Sequence, residues 1–270
     1  YVNGESASES VSSYKVKPGD ALSLMYRYNF KEPATEVDGV IVDPSAKGPD
    51  WSSSWPAAGT GATEAPTPTG ATEEKWVAKL KESSDWSTYV SEPITAGDYL
   101  FIVAGNTLYQ RDAKTGDVVK SAKLVSAISS VSRMVYADGL VLVPLGDGRV
   151  QALTADALTT VWVSEKLPDG KGGAQQCQGN LTVSAGKVYF QTSAGWSGPG
   201  GYSVCLDLVT GKTVWKQQAA GTKANYYWTG MGVSGDYGFV GNMDGTVETV
   251  DLATGESVSS LSLGASVRSG

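Results

Sequence analysis

The chain is dominated by short segments in which apolar and polar residues alternate, separated by turns that contain glycine. Such alternation is typical of β-strands that bury one face against a core. The clearest segments each run through a turn glycine, and they lie at 96–102, 138–143, 185–190 and 234–240. The pattern therefore predicts an all-β fold in which one strand type recurs.

This strand belongs to a repeat. The aligned glycines, Gly97, Gly139, Gly186 and Gly235, are 42, 47 and 49 residues apart by subtraction. A period in the forties with strand signals in every copy is typical of a β-propeller built from four-stranded blades. We call the long strand after each glycine strand A, and the strand that the following hairpin leads to strand C. We expect a strand B to lie between strands A and C in each blade. The sequence predicts four blades.

A second turn in the repeat follows the pattern Asp-x-x-x-Gly. Asp112, Asp207 and Asp251 each lie four residues before a glycine. A short carboxylate at this place can accept hydrogen bonds from turn amides, and glycine can adopt a positive φ. Because these aspartates recur with the repeat, we interpret them as structural turn residues and not as catalytic ones. Thr154 and Leu158 replace the pair in the second blade, so its turn should be the least regular.

Three tryptophans occupy one position of the repeat. Trp76, Trp162 and Trp215 lie at the same place on strand D, the last strand of a blade, where the first and fourth blades have Lys120 and Ser259. A tryptophan buries a large apolar area, and neighbouring blades pack face to face. The repetition predicts that these rings pack between blades.

The repeat resembles a known family. The run Ala-Gly-x-Val-Tyr-Phe, followed by Cys-Leu-Asp-Leu-x-Thr-Gly-Lys-x-Val-Trp, resembles the repeat of quinoprotein-like propellers of the pyrroloquinoline-quinone type. The resemblance covers roughly residues 51–270, including an opening segment with Trp51 and Trp55. In enzymes of that family the quinone lies on a Trp floor in the channel. Calcium is held there by Glu, Asn and Asp, an Asp acts as base, and adjacent cysteines form a disulfide.

The resemblance carries none of those catalytic residues to this chain. Its two cysteines, Cys177 and Cys205, are not adjacent, and no cluster of acids lies outside the repeat positions. With strand B between strands A and C, these strands would be about 9.5 Å apart, beyond normal disulfide reach. A bridge would need Cys177 on a loop that folds over, so a disulfide and two buried thiols both stay open.

Residues 1–32 predict a separate small unit. Alternating segments flank the turn at Pro18 and Gly19, which predicts a hairpin. The runs Tyr-Val-Asn-Gly-Glu-Ser-Ala, Tyr-x-Val-x-Pro-Gly-Asp and Leu-x-Leu-x-Tyr-x-Tyr resemble the closing part of the transcobalamin-like C-terminal domain of bacterial surface proteins. The resemblance implies part of a small β-grasp-like domain and no ligand residue. Residues 43–72, rich in Pro, Gly and Thr, are expected to be linker and strap, and residues 73–270 the propeller.

Composition narrows the function. The chain has 21 Lys and Arg against 28 Asp and Glu, a net charge of -7, so we exclude nucleic acid as the main partner. No apolar run approaches the roughly 18 residues of a membrane span. The absence of histidine removes the commonest general base and zinc ligand, which disfavours hydrolytic chemistry, and no metal site is predicted.

Four aromatic residues outside the repeat register are the candidate ligand-binding residues. Trp196 lies in the longest hairpin, and Tyr226, Tyr227 and Trp228 precede strand A of the fourth blade. Aromatic side chains on loops over a rigid scaffold are suited to binding sugars, peptides or proteins. The alternative is that they pack between blades.

The sequence predicts a non-enzymatic propeller that is secreted or displayed on a bacterial cell surface. It would bind a protein or glycan partner of the cell envelope and need no cofactor. One alternative is an oxidoreductase that uses pyrroloquinoline quinone and calcium, so enzymatic activity is left open. Another is an envelope propeller that serves as an assembly platform.

The strand count predicts an open arc. Residues 90–264 supply four blades with a strand D each, so the strand near Trp76 is a fifth strand D without a blade. Propellers of this family usually close by pairing an N-terminal outer strand with inner strands from the C-terminus. We therefore expect the Trp76 strand to lack its partners, the flank of the fourth blade to be exposed, and further blades to follow Gly270.

Overall fold

The computed structural model describes residues 33–46, 76–80, 89–129, 133–171, 173–195, 199–221 and 224–268. These residues form eighteen β-strands and one short 3₁₀ turn, η1 (Pro44–Ala46). The strands assemble into four sheets of the propeller type, which confirms the predicted all-β propeller fold. The predictions for residues 1–32, for Trp51 and Trp55, and for Trp196 lie outside the described residues.

All four sheets share one plan, a short first strand followed by longer strands that pair antiparallel in chain order. The first sheet contains β3 (Ile94–Ala96), β4 (Tyr99–Ala104), β5 (Thr107–Asp112) and β6 (Val118–Lys123). The second contains β7 (Val135–Ala137), β8 (Leu140–Pro144), β9 (Val150–Thr154) and β10 (Thr160–Val163). The third contains β11 (Thr182–Ser184), β12 (Lys187–Gln191), β13 (Tyr202–Asp207) and β14 (Thr213–Gln218). The fourth contains β15 (Met231–Ser234), β16 (Tyr237–Gly241), β17 (Thr246–Asp251) and β18 (Ser257–Ser262).

The expectation of a strand B between strands A and C is wrong. The strand after each aligned glycine pairs directly with the next long strand, as Tyr189 of β12 does with Cys205 of β13. The fourth strand of each sheet is instead the short strand before the glycine. That strand has only three or four residues, too few for alternation to be recognised.

The two cysteines are free thiols, and both are buried. Burial raises the pKa of Cys177 to about 12 and the pKa of Cys205 to about 11. A thiol becomes nucleophilic only as the thiolate, so neither group is activated for chemistry at neutral pH.

A hairpin that the sequence analysis left unassigned extends the second sheet. Strands β1 (Thr35–Val37) and β2 (Val40–Val42) pair antiparallel, and β2 then pairs in parallel with β10. The buried Arg149 holds the hairpin tip, because its guanidinium donates to Asp38 at 2.7 Å and to Asp147 at 2.6 Å. A buried charge needs such partners to offset its desolvation. The second sheet therefore has six strands.

The hydrophobic core lies between consecutive sheets. Phe101 and Leu153 belong to the cluster between the first and second sheets, and Leu142 and Phe190 to the cluster between the second and third. Val240 belongs to the cluster between the third and fourth. The first strands β3, β7, β11 and β15 contact one another in that order, so they form the inner edge of the arc.

The last sheet in this order has one uncovered face. Phe101, Leu142 and Tyr189 occupy equivalent positions on the faces that the following sheets cover, and all three are buried. Phe239 occupies the same position in the fourth sheet and is 43% exposed. The predicted exposure of this flank is confirmed for the part of the chain that the structure describes.

Each tryptophan of the strand D position docks on the Asp-x-x-x-Gly turn of the next sheet. Its indole Nε1 donates to a main-chain carbonyl of that turn: Trp76 to Ala113 at 3.2 Å, Trp162 to Leu208 at 3.0 Å and Trp215 to Leu252 at 2.8 Å. Its ring lies on the turn glycine, where an added Cβ would come within 2.4 to 2.5 Å of the ring. The predicted packing between blades is confirmed for Trp162 and Trp215, whereas Trp76 docks in the same way from residues 76–80, which form no strand.

Between the first and second sheets both partners of this contact are replaced. Lys120 takes the tryptophan position, and its ammonium donates to the carbonyl of Asp156. Leu158 takes the glycine position with a φ of 56°, and its amide donates to Thr154 O at 2.9 Å, the bond that glycine makes in the other turns. The turn keeps this main-chain bond but departs from the pattern in its side-chain bond, since Thr154 Oγ1 accepts from Thr159 N at 3.2 Å. Leucine fits here because no tryptophan ring lies over the turn.

The turn aspartates satisfy the main chain of their own turns. Asp207 accepts hydrogen bonds from Val209 N at 3.1 Å and Thr210 N at 3.0 Å, and Asp112 and Asp251 make the corresponding bonds. Burial alone would raise the pKa of Asp207, but the bonds from Lys187 and Thr210 outweigh it and lower this pKa overall. These contacts support the structural interpretation.

Asp207→Ala is expected to lower the free energy of unfolding by about 1 to 2 kcal/mol, through lost hydrogen bonds. Since the pKa of Asp207 is lowered on folding, the stabilisation is present above the ordinary value of 3.8 and is lost as pH falls through the folded pKa. Urea unfolding of wild type and Asp207→Asn should therefore differ at neutral pH and converge in acid. Asp236→Ala, in an exposed turn, is the control. Lost partner binding at an unchanged melting temperature would contradict the structural role.

Candidate functional site

Three polar side chains meet where the first strands begin, at the inner edge of the arc. Glu92 lies before β3, Arg133 before β7 and Asn180 before β11. Arg133 Nε lies 3.2 Å from Glu92 Oε2, and Arg133 Nη1 donates to Asn180 Oδ1 at 3.2 Å. One guanidinium thus connects three sheets. We call these three residues the inner-edge cluster.

The inner-edge cluster is accessible to solvent. The side chains of Arg133 and Glu92 are 50% and 66% exposed. An ion pair this exposed adds little stability, because water screens it and two long side chains must be ordered. The charged groups of Arg133 and Glu92 therefore face solvent, where a charged group of a partner can compete for them.

Trp228 lies beside this cluster in a strained conformation. Its φ of 58° falls in the left-handed region, which is unfavourable for a bulky residue. In the described part of the chain Trp228 is the one aromatic residue with a positive φ, and like the other non-glycine residues with a positive φ it lies in a turn. The Trp228 ring is 39% exposed and packs on Tyr227, with the ring centroids 4.7 Å apart. Strain of this kind concentrates at functional sites.

Close contact places the segment directly after the two aromatic residues next to the cluster. An added Cβ at Gly179 would fall 1.9 Å from the carbonyl oxygen of Thr229, so only glycine fits there. At Gly230, an added Cβ would lie 3.1 Å from Asn180 Cβ. The residues that follow Trp228 are therefore packed against Gly179 and Asn180, so Tyr227 and Trp228 lie within three residues in sequence of the cluster contact.

Tyr226 has a different environment from its two neighbours. It is buried, its hydroxyl donates to Glu248 Oε2 at 3.2 Å, and Glu248 Oε1 accepts from Asn242 Nδ2 at 2.7 Å. Burial raises the pKa of Tyr226, with the Glu248 carboxylate adding to the effect. Of the three predicted aromatic residues in this segment, Tyr227 and Trp228 are the ones that a ligand can reach.

A buried asparagine fixes the segment that carries these rings. Asn225 Oδ1 accepts from Ala194 N at 3.2 Å, and its Nδ2 donates to Gly195 O at 2.9 Å. Its own main-chain amide donates to Asn242 Oδ1 at 2.9 Å. Asn225 thereby joins the third sheet to the fourth. A rigid support of this kind holds a binding residue at low entropic cost.

At the inner edge, the described residues do not present a ligand set for a calcium ion. Among them, no group of three or more His, Cys, Asp or Glu side chains is placed to hold a metal ion. At the inner edge, Glu92 and Asn180 are both engaged by Arg133. The positive guanidinium would repel a calcium ion at that place.

Comparison with known proteins identifies the family. Residues 51–228 match the family described as outer membrane protein assembly factor BamB, which is more than half of the chain. The chain belongs to this family. The match confirms the resemblance to the pyrroloquinoline-quinone-type repeat in this BamB-family protein, and it does not reach residues 1–32. Among curated proteins, none matches the sequence of this chain.

Two dehydrogenases of known structure share the fold of this BamB-family chain. Quinohemoprotein alcohol dehydrogenase ADHIIG from Pseudomonas putida HK5 has 17% identity and a TM-score of 0.56, over 65% of this chain and 34% of that one. A europium-containing methanol dehydrogenase has 15% identity and a TM-score of 0.54, over 66% and 42%. BamB from Moraxella catarrhalis has 17% identity and a TM-score of 0.39, over 66% and 65%. The chain thus spans less than half the length of the first two proteins.

The sequence alone indicated some residues of this candidate site in the BamB-family chain and not others. It indicated Tyr227 and Trp228 but not Glu92, Arg133 and Asn180. Arg133 and Asn180 each lie six residues before an aligned glycine, so the repeat alignment placed them at one position. That Arg133 and Asn180 are in contact at the inner edge of the arc could not be predicted from the sequence. Among the described residues, no helix is long and apolar enough to span a membrane.

Proposed function

We propose that this BamB-family chain is a non-catalytic binding platform of the bacterial cell envelope, whose inner edge receives a segment of a partner protein. The observation that carries the proposal is Trp228, an exposed tryptophan kept in a strained conformation beside the inner-edge cluster. The family description, outer membrane protein assembly factor, supports the envelope and the assembly-platform reading.

The chemistry of the inner edge suits recognition of a peptide. Tryptophan, tyrosine and arginine are the residues most enriched at the energetic centres of protein interfaces. Here Trp228, Tyr227 and Arg133 lie on or next to the starts of sheet strands, where the scaffold is rigid. A partner carboxylate could exchange with Glu92 on the guanidinium, while an apolar side chain covers the indole.

The oxidoreductase alternative is supported only by the fold that this chain shares with the two dehydrogenases. The similar dehydrogenases are less than 20% identical to this chain, and fold alone does not imply function. The position of Arg133 between Glu92 and Asn180 favours the binding platform, because a carboxylate and an amide that hold a guanidinium are not free to hold calcium.

Peptides selected from a random display library on the wild-type chain provide the test. Their affinity should fall about ten-fold or more for Trp228→Gly, because a central tryptophan contributes 1.4 kcal/mol or more at such sites. Glycine is chosen because it adopts a φ of 58° without strain, so the fold should be retained. Arg133→Gln should weaken the same peptides, as measured by fluorescence anisotropy.

Tyr237→Ala is the matched control, since Tyr237 is an exposed aromatic of the fourth sheet away from the inner edge. Equal affinity of all variants would contradict the proposal. Binding on a glycan array that Trp228→Gly abolishes, without peptide binding, would replace the protein partner by a glycan. Alcohol-dependent dye reduction after addition of quinone and calcium would establish the oxidoreductase instead.

A further inference from the structure

The outer strands of the four sheets differ in how their open edges are protected. The strands β6 and β14 carry lysines, Lys120 and Lys123 in the first and Lys216 in the second. Charged side chains on an edge strand, lysine above all, prevent other strands from pairing with it. The strand β10 has the uncharged sequence Thr-Val-Trp-Val, and the chain covers it with its own strand β2. Lysine-bearing edges are thus left open, and the uncharged edge is covered.

The strand β18 breaks this rule. It reads Ser-Val-Ser-Ser-Leu-Ser without any charge, and all six residues are exposed. It is the terminal strand of the fourth sheet, and no other strand of the described residues pairs with its outer side. Val258 and Leu261 are 55% and 64% exposed. The strand thus shares the uncharged composition of β10, but its apolar side chains are exposed, whereas those of Val161 and Trp162 in β10 are buried.

The geometry of the strand pair identifies the free backbone groups. Leu263 N donates to Gly245 O at 2.8 Å, and Thr246 is paired with Ser262. Residues of an antiparallel strand bond to their neighbour at every second position. The N–H and C=O groups of Ser260 and Ser262 therefore point away from β17, toward the open side of the edge.

We propose that β18 receives an extended strand of a partner protein, which adds to the fourth sheet as a fifth strand. The chain's own hairpin shows the chemistry of such an occupant. The strand β2 reads Val-Ile-Val, and its first and third residues are buried where it adds to β10. The occupant is accordingly an uncharged segment with β-branched residues at alternating positions, held by main-chain hydrogen bonds.

The small surface area that a strand pairing buries argues against a second copy of this chain as the occupant. A pairing of two six-residue strands covers far less than the roughly 800 Å² per partner that a standard protein interface buries. Peptide-binding modules use strand addition of this small size, with pockets or ridges for alternate side chains. This surface lies at the outer rim, so the inference does not depend on the inner-edge proposal.

A labelled, C-terminally amidated synthetic peptide with the sequence of residues 39–42, Gly-Val-Ile-Val, tests the inference on the full chain by fluorescence anisotropy. It should bind the wild type, and Ser260→Pro should weaken it about ten-fold or more by removing an outward N–H. Ser260→Lys should also weaken binding, because it places a lysine at the position of β18 that corresponds to Lys216 in β14. The same peptide N-methylated at isoleucine should not bind.

Ser234→Lys is the matched control, since Ser234 is an exposed serine of β15 on the other edge of the same sheet. It should leave the affinity unchanged, and all variants should keep the wild-type melting temperature. Absence of binding to the wild type, or equal binding to Ser260→Pro and Ser260→Lys, would overturn the inference. So would a wild-type dimer that Ser260→Lys converts to monomer, because a second copy would then be the occupant.

Discussion

Replacing Trp215 by alanine is expected to lower the free energy of unfolding by about 3 to 5 kcal/mol, the usual cost of removing a buried aromatic side chain. The ring is buried between the third and fourth sheets, where it lies on Gly255 and donates its indole N–H to Leu252 O at 2.8 Å. The substitution removes a large apolar contact and leaves that carbonyl without its donor. Urea unfolding followed by circular dichroism measures the loss.

Two further variants separate the parts of the Trp215 contact. Trp215→Phe retains most of the apolar area and loses the indole N–H, so it should cost less, with about 1 kcal/mol due to the hydrogen bond. Trp228→Gly removes an exposed tryptophan and should change stability by less than about 1 kcal/mol. A Trp215→Ala variant as stable as Trp228→Gly would show that this docking contact does not hold the sheets together.

Gly211→Ala should destabilise the chain by about 2 to 4 kcal/mol, through a backbone cost and overpacking together. Gly211 has a φ of 67°, and an added Cβ would fall 2.4 Å from the ring of Trp162. The ring cannot retreat easily, because its Nε1 is bonded to Leu208 O at 3.0 Å. The midpoint of thermal unfolding reports the effect.

Gly186→Ala is the matched control for the backbone term. Gly186 has a similar φ of 71°, but no atom lies within 4 Å of the place where its Cβ would be. It should cost only about 1 kcal/mol, the penalty for placing alanine in the left-handed region. The difference between the two variants measures the ring contact. If both variants cost the same, Gly211 is required for its φ alone.

The sequence was sufficient to predict the features that repeat. Asp207 and Trp215 have counterparts at fixed spacing in other repeats, so periodicity identified both roles before any coordinates were known. Features that depend on tertiary neighbours could not be predicted in this way. The strand β11 has three residues and no pattern of its own, and the partner of β2 lies more than a hundred residues away in the sequence.

The candidate site was predicted only as far as its residues stand out locally. Tyr227 and Trp228 are large aromatic residues outside the repeat register, so they could be selected from the sequence as candidates. Arg133 and Glu92 are ordinary surface charges in the sequence, and they become a pair only because β3 and β7 are neighbours at the axis. The left-handed conformation of Trp228 is likewise imposed by packing around Gly179 and Thr229.

The paired replacement at the second sheet bears on how such repeats can be rearranged in evolution. A repeat with Trp162 on its last strand accepts a successor with a turn glycine, whereas the repeat with Lys120 accepts one with Leu158. A duplicated or recombined repeat would therefore have to match both of its new neighbours. If the second repeat followed the third, Leu158 would lie under the ring of Trp215. The contact between each pair of neighbouring repeats therefore restricts the order in which the repeats can follow one another.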